Sequence, residues 1–180
     1  MTVFARFAEE FPERRETRFL ILVDRAGKEA DRLYLDECYC ADPECDCGRV
    51  LLGVHDRDVE TRAMIVYDFV GGADRTPGGE NPYLEPGFEQ PDRAEQILAL
   101  VGDSLERDAA YQARLVRHYR EMKARTRDPA HPLWPAILRD RREMARLAES
   151  LVRSFAPPAL AGPSRERRER NRNKRRRKRR

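Results

Sequence analysis

The sequence predicts an α+β protein, with a four-stranded antiparallel sheet in its N-terminal half, a helical C-terminal half and a disordered basic tail. Three observations predict it. Between residues 17 and 70, short apolar runs alternate with turn-forming stretches at strand-like intervals. Between 92 and 155, apolar residues recur at the three-to-four spacing of helices. After Pro163 no apolar residue occurs, and a segment with nothing to bury cannot offset the entropy of ordering itself. The organisation that follows is one domain over 1–160, carrying a metal knuckle at 38–48, and a tail over 161–180.

Taken in order, Phe4, Phe7, Ala8 and Phe11 stand at helical spacing before Pro12, which predicts a short helix over 3–11. Phe19 to Val23 is a continuous apolar run, so 17–23 reads as a central strand covered on both faces, with a turn at Asp24 to Lys28. Leu33 and Leu35 alternate with Arg32, Tyr34 and Asp36, which predicts a half-buried strand over 31–37. Residues 49–55 and 61–70 continue the pattern across the charged turn Asp56 to Glu60, and four strands with short connections predict a meander. Residues 71–91 are rich in Gly and Pro and read as a long connector; they hold neither G-x-G-x-x-G nor a Gly-Lys-Ser/Thr ending, so they carry no nucleotide fingerprint.

Three helices follow. Asp92 to Leu105 presents Ala94, Ile97, Leu98, Val101 and Leu105 on one face, and Asp108 to Arg125 presents Tyr111, Leu115, Tyr119 and Met122. Pro135 to Phe155 presents Leu138, Met144, Leu147, Ala148, Leu151 and Phe155, with Glu143, Arg146, Glu149 and Arg153 on a solvated face. Each stripe is expected in the core. Asp92 and Asp108 are expected N-caps, Pro135 suits a first helical turn, and Pro157-Pro158 ends the last helix.

All four cysteines fall within Cys38-Tyr39-Cys40-Ala41-Asp42-Pro43-Glu44-Cys45-Asp46-Cys47-Gly48. Two C-x-C pairs four residues apart supply four thiolates, the ligand set of a closed tetrahedral zinc site. Asp42-Pro43 is a turn dipeptide that folds the second pair back, and Gly48 suits a tight loop whose backbone approaches a thiolate. Cys38, Cys40, Cys45 and Cys47 are therefore the expected Zn2+ ligands, at the tip between the second and third predicted strands. Copper(I) or iron, a disulfide pair, and a redox switch that releases metal are the alternatives. Clustering among Asp36, Glu37, Asp42, Glu44 and Asp46 argues against four buried apolar thiols.

The run Tyr34 to Val50, within a match over about residues 34–54, resembles a segment of uncharacterised bacterial proteins with a YC-x-DP-x-CDC-x-x-V motif, some of which also carry a SEC-C motif. Asp108 to Tyr119 is a weaker echo of the same family. The resemblance implies zinc binding. SEC-C motifs are in turn similar to the zinc-binding tail of the bacterial preprotein translocase motor, where the knuckle serves protein and ribosome contacts and no chemistry. This chain departs from a SEC-C motif in its four-residue gap and its C-x-C ending.

Charge is partitioned along the chain. Residues 164–180 hold twelve of the 36 Lys and Arg and two of the 32 Asp and Glu, net +10, which leaves 24 basic and 30 acidic residues before them, net −6. The basic residues are Arg165, Arg167, Arg168, Arg170, Arg172, Lys174, Arg175, Arg176, Arg177, Lys178, Arg179 and Arg180. Arginine dominates, and its guanidinium fork matches phosphate, so RNA or DNA is the expected partner; a solubilising tail lying on the acidic body is the alternative. No apolar run approaches a membrane span, and the charged Met1 to Arg15 has no secretory pattern, so a cytoplasmic protein without a membrane partner is expected.

No catalytic constellation is visible. His55, His118 and His131 have no metal-ligand spacing; His55 ends a strand beside Asp56, with replacement of a thiolate ligand as its other reading. Asp68, Asp74 and Glu80 lack a magnesium-site spacing. The first functional expectation is a non-enzymatic zinc-binding adaptor that contacts nucleic acid, a ribonucleoprotein or a protein partner. An enzyme with its site near Gly71 to Pro91 is the second, and a thiol redox sensor the third.

Overall fold

The computed structural model describes residues 3–14, 16, 18–23, 26–69 and 80–155. In chain order its elements are β1 (Phe4–Arg6), α1 (Phe7–Glu10), β2 (Arg18–Val23), β3 (Glu29–Cys40), β4 (Arg49–His55), β5 (Thr61–Asp68), β6 (Tyr83–Leu84), α2 (Ala94–Arg107), α3 (Ala109–Arg125) and α4 (Trp134–Phe155). The chain divides into two compact units, Met1–Asp140 and Arg141–Arg180.

The first unit is built on the predicted meander. Strand alternation sends Leu33, Leu35, Glu37 and Tyr39 of β3, Val50, Leu52 and Val54 of β4, and Ala63 and Ile65 of β5 to one face, where all are buried. The antiparallel register sets Leu35 opposite Val54, Glu37 opposite Leu52 and Tyr39 opposite Val50, so these side chains form one layer. Ile97, Val101 and Leu105 of α2 and Tyr111, Leu115 and Met122 of α3 belong to the same core. That is the α+β arrangement the helical stripes imply.

Among the described residues the sheet has six strands, not four. The expected helix over 3–11 is half strand: Phe4–Arg6 pairs with β3, and only Phe7–Glu10 is helical. The helical spacing was real for Phe7 and Phe11, whose rings stack with centroids 4.6 Å apart. Strand β2 is not central. Among the described residues it pairs with β3 alone, and Phe19 and Ile21 are exposed on its outer face, where Phe19 packs edge-on against Tyr34. Strand β6 lies inside the expected connector, and two side-chain amides bracket it. Asn81 Oδ1 accepts from Asp68 N at 2.9 Å while its Nδ2 donates to Asp68 O at 2.7 Å, and Gln90 makes the same exchange with Met64. Residues 70–79 of that connector lie outside the described residues.

Helix α2 has Arg93, with φ 71°, at its N-cap in place of Asp92, and no side chain caps it. Asp108 does cap α3, its Oδ1 accepting from Tyr111 N at 2.9 Å. That bond and the Arg18 guanidinium hold the Asp108 carboxyl below its ordinary 3.8. A depressed carboxyl contributes stability above its unfolded pKa and loses it as pH falls through the folded value. The first turn of α3 should therefore fray on acidification below about pH 4, earlier than the rest of the helix, and Asp108→Ala should abolish that difference; amide exchange measured against pH reads both.

Helix α4 starts at Trp134, one residue before the expected Pro135, which lies in its first turn, and Ile137 is buried in the first unit. Leu138, assigned to a core stripe, is exposed. In the second unit, described to residue 155, Met144, Leu147 and Leu151 are also exposed. Amphipathic spacing is a property of the helix alone and does not supply the surface that would cover its stripe. The tail at 161–180 lies outside the described residues.

Candidate metal centre

Residues 41–48 connect β3 to β4, and their backbone is folded by the turn that Asp42-Pro43 predicts. Within the turn, Asp42 accepts from Cys45 N at its carbonyl (3.2 Å) and from Glu44 N at its carboxylate (2.9 Å). Gly48 then takes φ 60°, a left-handed conformation that favours glycine, and its carbonyl accepts from Phe69 N. The two reversals return the chain beside the end of β3.

As a result the sulfurs of Cys40, Cys45 and Cys47 lie within 4.8 Å of one another. Cys38 does not join them. It sits inside β3, opposite Arg6 on one side and Leu51 on the other. Of the two C-x-C pairs, the one in the loop contributes both of its sulfurs to the group and the one in the strand contributes Cys40 alone. The Cys38 thiol is pushed up to about 12 by burial, reinforced by Asp36. Among the described residues no histidine or carboxylate completes the three-sulfur group.

Helix α3 holds the loop from behind. Tyr119 Oη donates to Cys45 O at 3.2 Å, and four residues on, Lys123 Nζ donates to Asp42 O and lies 5.1 Å from the Tyr119 ring centroid. Lys123 is buried, which a lysine tolerates only beside compensating charge. Of the three thiols beside it, only that of Cys47 is shifted toward its anionic form. Hydrogen bonding from Cys40 lowers the Cys47 thiol, with further help from the Arg49 N–H and Lys123, while Cys40 itself is raised. Lys123 was missed in the sequence, although its place beside Met122 on the α3 stripe was a signal: a charge at a buried position has to answer another.

The other candidates lie elsewhere. His55 is at the far end of β4, its Nδ1 3.3 Å from Thr61 Oγ1. His131 Nε2 lies 2.9 Å from Glu10 Oε2. His118, buried on α3, places Nδ1 2.6 Å from Glu37 Oε2 and is stacked on Phe7, so it braces the core. Asp68 is bonded to Arg49, Glu80 is exposed, and Asp74 lies outside the described residues, as do the twelve basic residues of the tail.

No family model, curated protein or solved structure matches the chain. The site must therefore be read from its own chemistry. Three sulfur donors, one of them with a lowered thiol, beside a buried ammonium, suit a soft or borderline metal ion and not a hard oxygen-seeking one. The cysteine cluster is able to bind such a metal. No helix among the described residues is long and apolar enough to cross a membrane.

Proposed function

We propose that the protein is a non-enzymatic zinc-binding adaptor, with Zn2+ held by Cys40, Cys45 and Cys47 and with the tail contacting RNA, DNA or a ribonucleoprotein in the cytoplasm. The observation that carries the metal half is the convergence of three thiols in a loop clamped to α3 by Tyr119 and Lys123. Zinc would supply a local tie between the end of β3, the loop and, through Lys123, the helix. With a hydrophobic core beneath it that does not involve the cysteines of the loop, the site stabilises locally, unlike small zinc modules in which binding and folding are one event.

Metal analysis of purified protein tests this. About one zinc per chain is expected, lost in Cys45→Ser and Cys47→Ser and retained in Cys38→Ser, with the helical circular dichroism of all three intact. Folded protein without metal would remove the zinc reading. Equal loss of metal in Cys38→Ser would restore the four-thiolate set.

The lowered Cys47 thiol favours a second reading, a thiol redox sensor, because the thiolate is the species that oxidants attack. Zinc release by mild peroxide, reversed by thiol reductant, is its expected signature. Zinc retained through that treatment excludes it.

A further inference from the structure

The edge of β3 away from β4 is shared by two strands. Strand β1 pairs as far as Arg6 opposite Cys38, the chain departs through α1, and β2 resumes pairing at Arg18 opposite Leu35. Asp36 and Glu37 fall between, so among the described pairings the edge has a window there. A cavity of about 210 Å³ opens at it. At about 30 Å³ per water, that is roughly seven waters, the size class of a small organic molecule.

Its floor is fixed and fully paired. Glu37 Oε1 accepts from Arg114 at 3.0 Å, and Oε2 accepts from Tyr39 Oη at 2.9 Å and lies 2.6 Å from His118 Nδ1. Glu16 is bonded to Arg117 through Oε2 at 2.5 Å and faces Arg14 at 3.7 Å through Oε1. The cations of the cavity are less fully used. Arg6 donates to Asp36 and Glu9, and Arg14 faces Glu16 and Glu121, two contacts each from a group with five N–H donors. Tyr34 Oη and His55 Nε2, also on the wall, have no hydrogen-bond partner among the described residues. Asp36, the third carboxylate of the lining, is paired with Arg6 through Oδ2, so all three carboxylates are engaged by cations of the chain and the donors left over on Arg6 and Arg14 favour an anion.

The apolar part of the wall carries its own signal. Val59 lines the cavity with φ 64°, a conformation that a β-branched residue adopts only when its surroundings impose it. They do impose it: Asp56 accepts from Val59 N at its carbonyl and from Asp58 N and Glu60 N at its carboxylate, which also pairs with Arg62. Glycine would fit this turn without strain, yet the sequence puts an exposed valine at the cavity mouth.

We propose that this cavity is a binding site for a small organic carboxylate, its charged end on Arg6 and Arg14 and its apolar body against Phe7, Leu35 and Val59. The site is independent of the cysteine cluster and of any metal there.

Calorimetric titration of the full chain with benzoate, benzamide, benzylamine and inorganic phosphate tests the proposal. Benzoate should bind saturably at one site, with benzamide weaker by about tenfold or more, as expected for loss of a charge-assisted hydrogen bond. Arg14→Gln should weaken benzoate by a similar factor and leave benzamide unchanged. Val59→Gly should weaken both while the thermal midpoint holds or rises, since it removes strain along with the apolar wall; a merely structural valine would not separate the two readouts. Absence of saturable benzoate binding overturns the proposal, as does binding of benzamide, benzylamine or phosphate as tight as that of benzoate.

Discussion

Replacing His118 with alanine should destabilise the fold by about 3 kcal/mol, the sum of a lost hydrogen bond to a charged group, a lost ring stack and the void left behind. The His118 side chain is 1% exposed and that of Glu37 5%, so neither partner can turn to water for compensation. Phe7, with its ring centroid 3.7 Å from that of His118, loses its neighbour at the same time. Arg114 still faces Glu37 after the substitution, which is why the loss should stop short of the 4–5 kcal/mol seen when a buried charge is stranded altogether. Thermal unfolding should report a midpoint lower by roughly 6–12 °C for a chain of this size. Glu37→Gln keeps the side chain's volume and most of its bonds and should cost less. The double variant should then lose less than the two single losses added, because the pair is one interaction counted twice. A loss below about 1 kcal/mol for His118→Ala would mean that the dyad is not part of what holds α3 to the sheet.

That dyad also shows where sequence reasoning ran short. Glu37 shares strand parity with Leu33, Leu35 and Tyr39, and His118 follows Tyr111 and Leu115 and precedes Met122 at stripe spacing, so both positions were legible as buried. What the sequence lacked was the pairing: 81 residues separate the two, and no local pattern says that one buried polar group answers another. The meander and the three long helices were legible because their periods repeat several times within one element. Strands β1 and β6, of three and two residues, are too short to show a period, and side-chain amides from Asn81 and Gln90 bracket β6. The cysteine motif was legible as a donor cluster but not in its membership. Cys38-x-Cys40 and Cys45-x-Cys47 have the same spacing, and spacing alone does not say that the pair within β3 contributes one sulfur to the group while the pair in the loop contributes both.

Removing residues 164–180 should abolish most binding to RNA or DNA while leaving the metal content unchanged. Twelve cationic side chains release condensed counterions when they meet phosphate, and a protein engaging about six to ten phosphates loses roughly 10³–10⁵ in affinity between 50 and 200 mM salt. The body opposes binding. Its net charge is −6, and the hollow beside the cysteine loop sets Arg120 and Lys123 of α3, with Arg127 just past its end, against Glu44 and Asp46, a mixed surface with no uniform attraction for a phosphate backbone. Phosphate contacts hold a protein on nucleic acid without reading bases, so sequences of equal length should bind alike. Fluorescence anisotropy of full-length protein and of a 1–163 truncation, at two salt concentrations, separates the contributions. A steep salt slope confined to the full-length form is expected. Equal affinity of the two forms would assign the tail to solubility or to the acidic body, because a segment that touches phosphate cannot be removed without changing the number of counterions released.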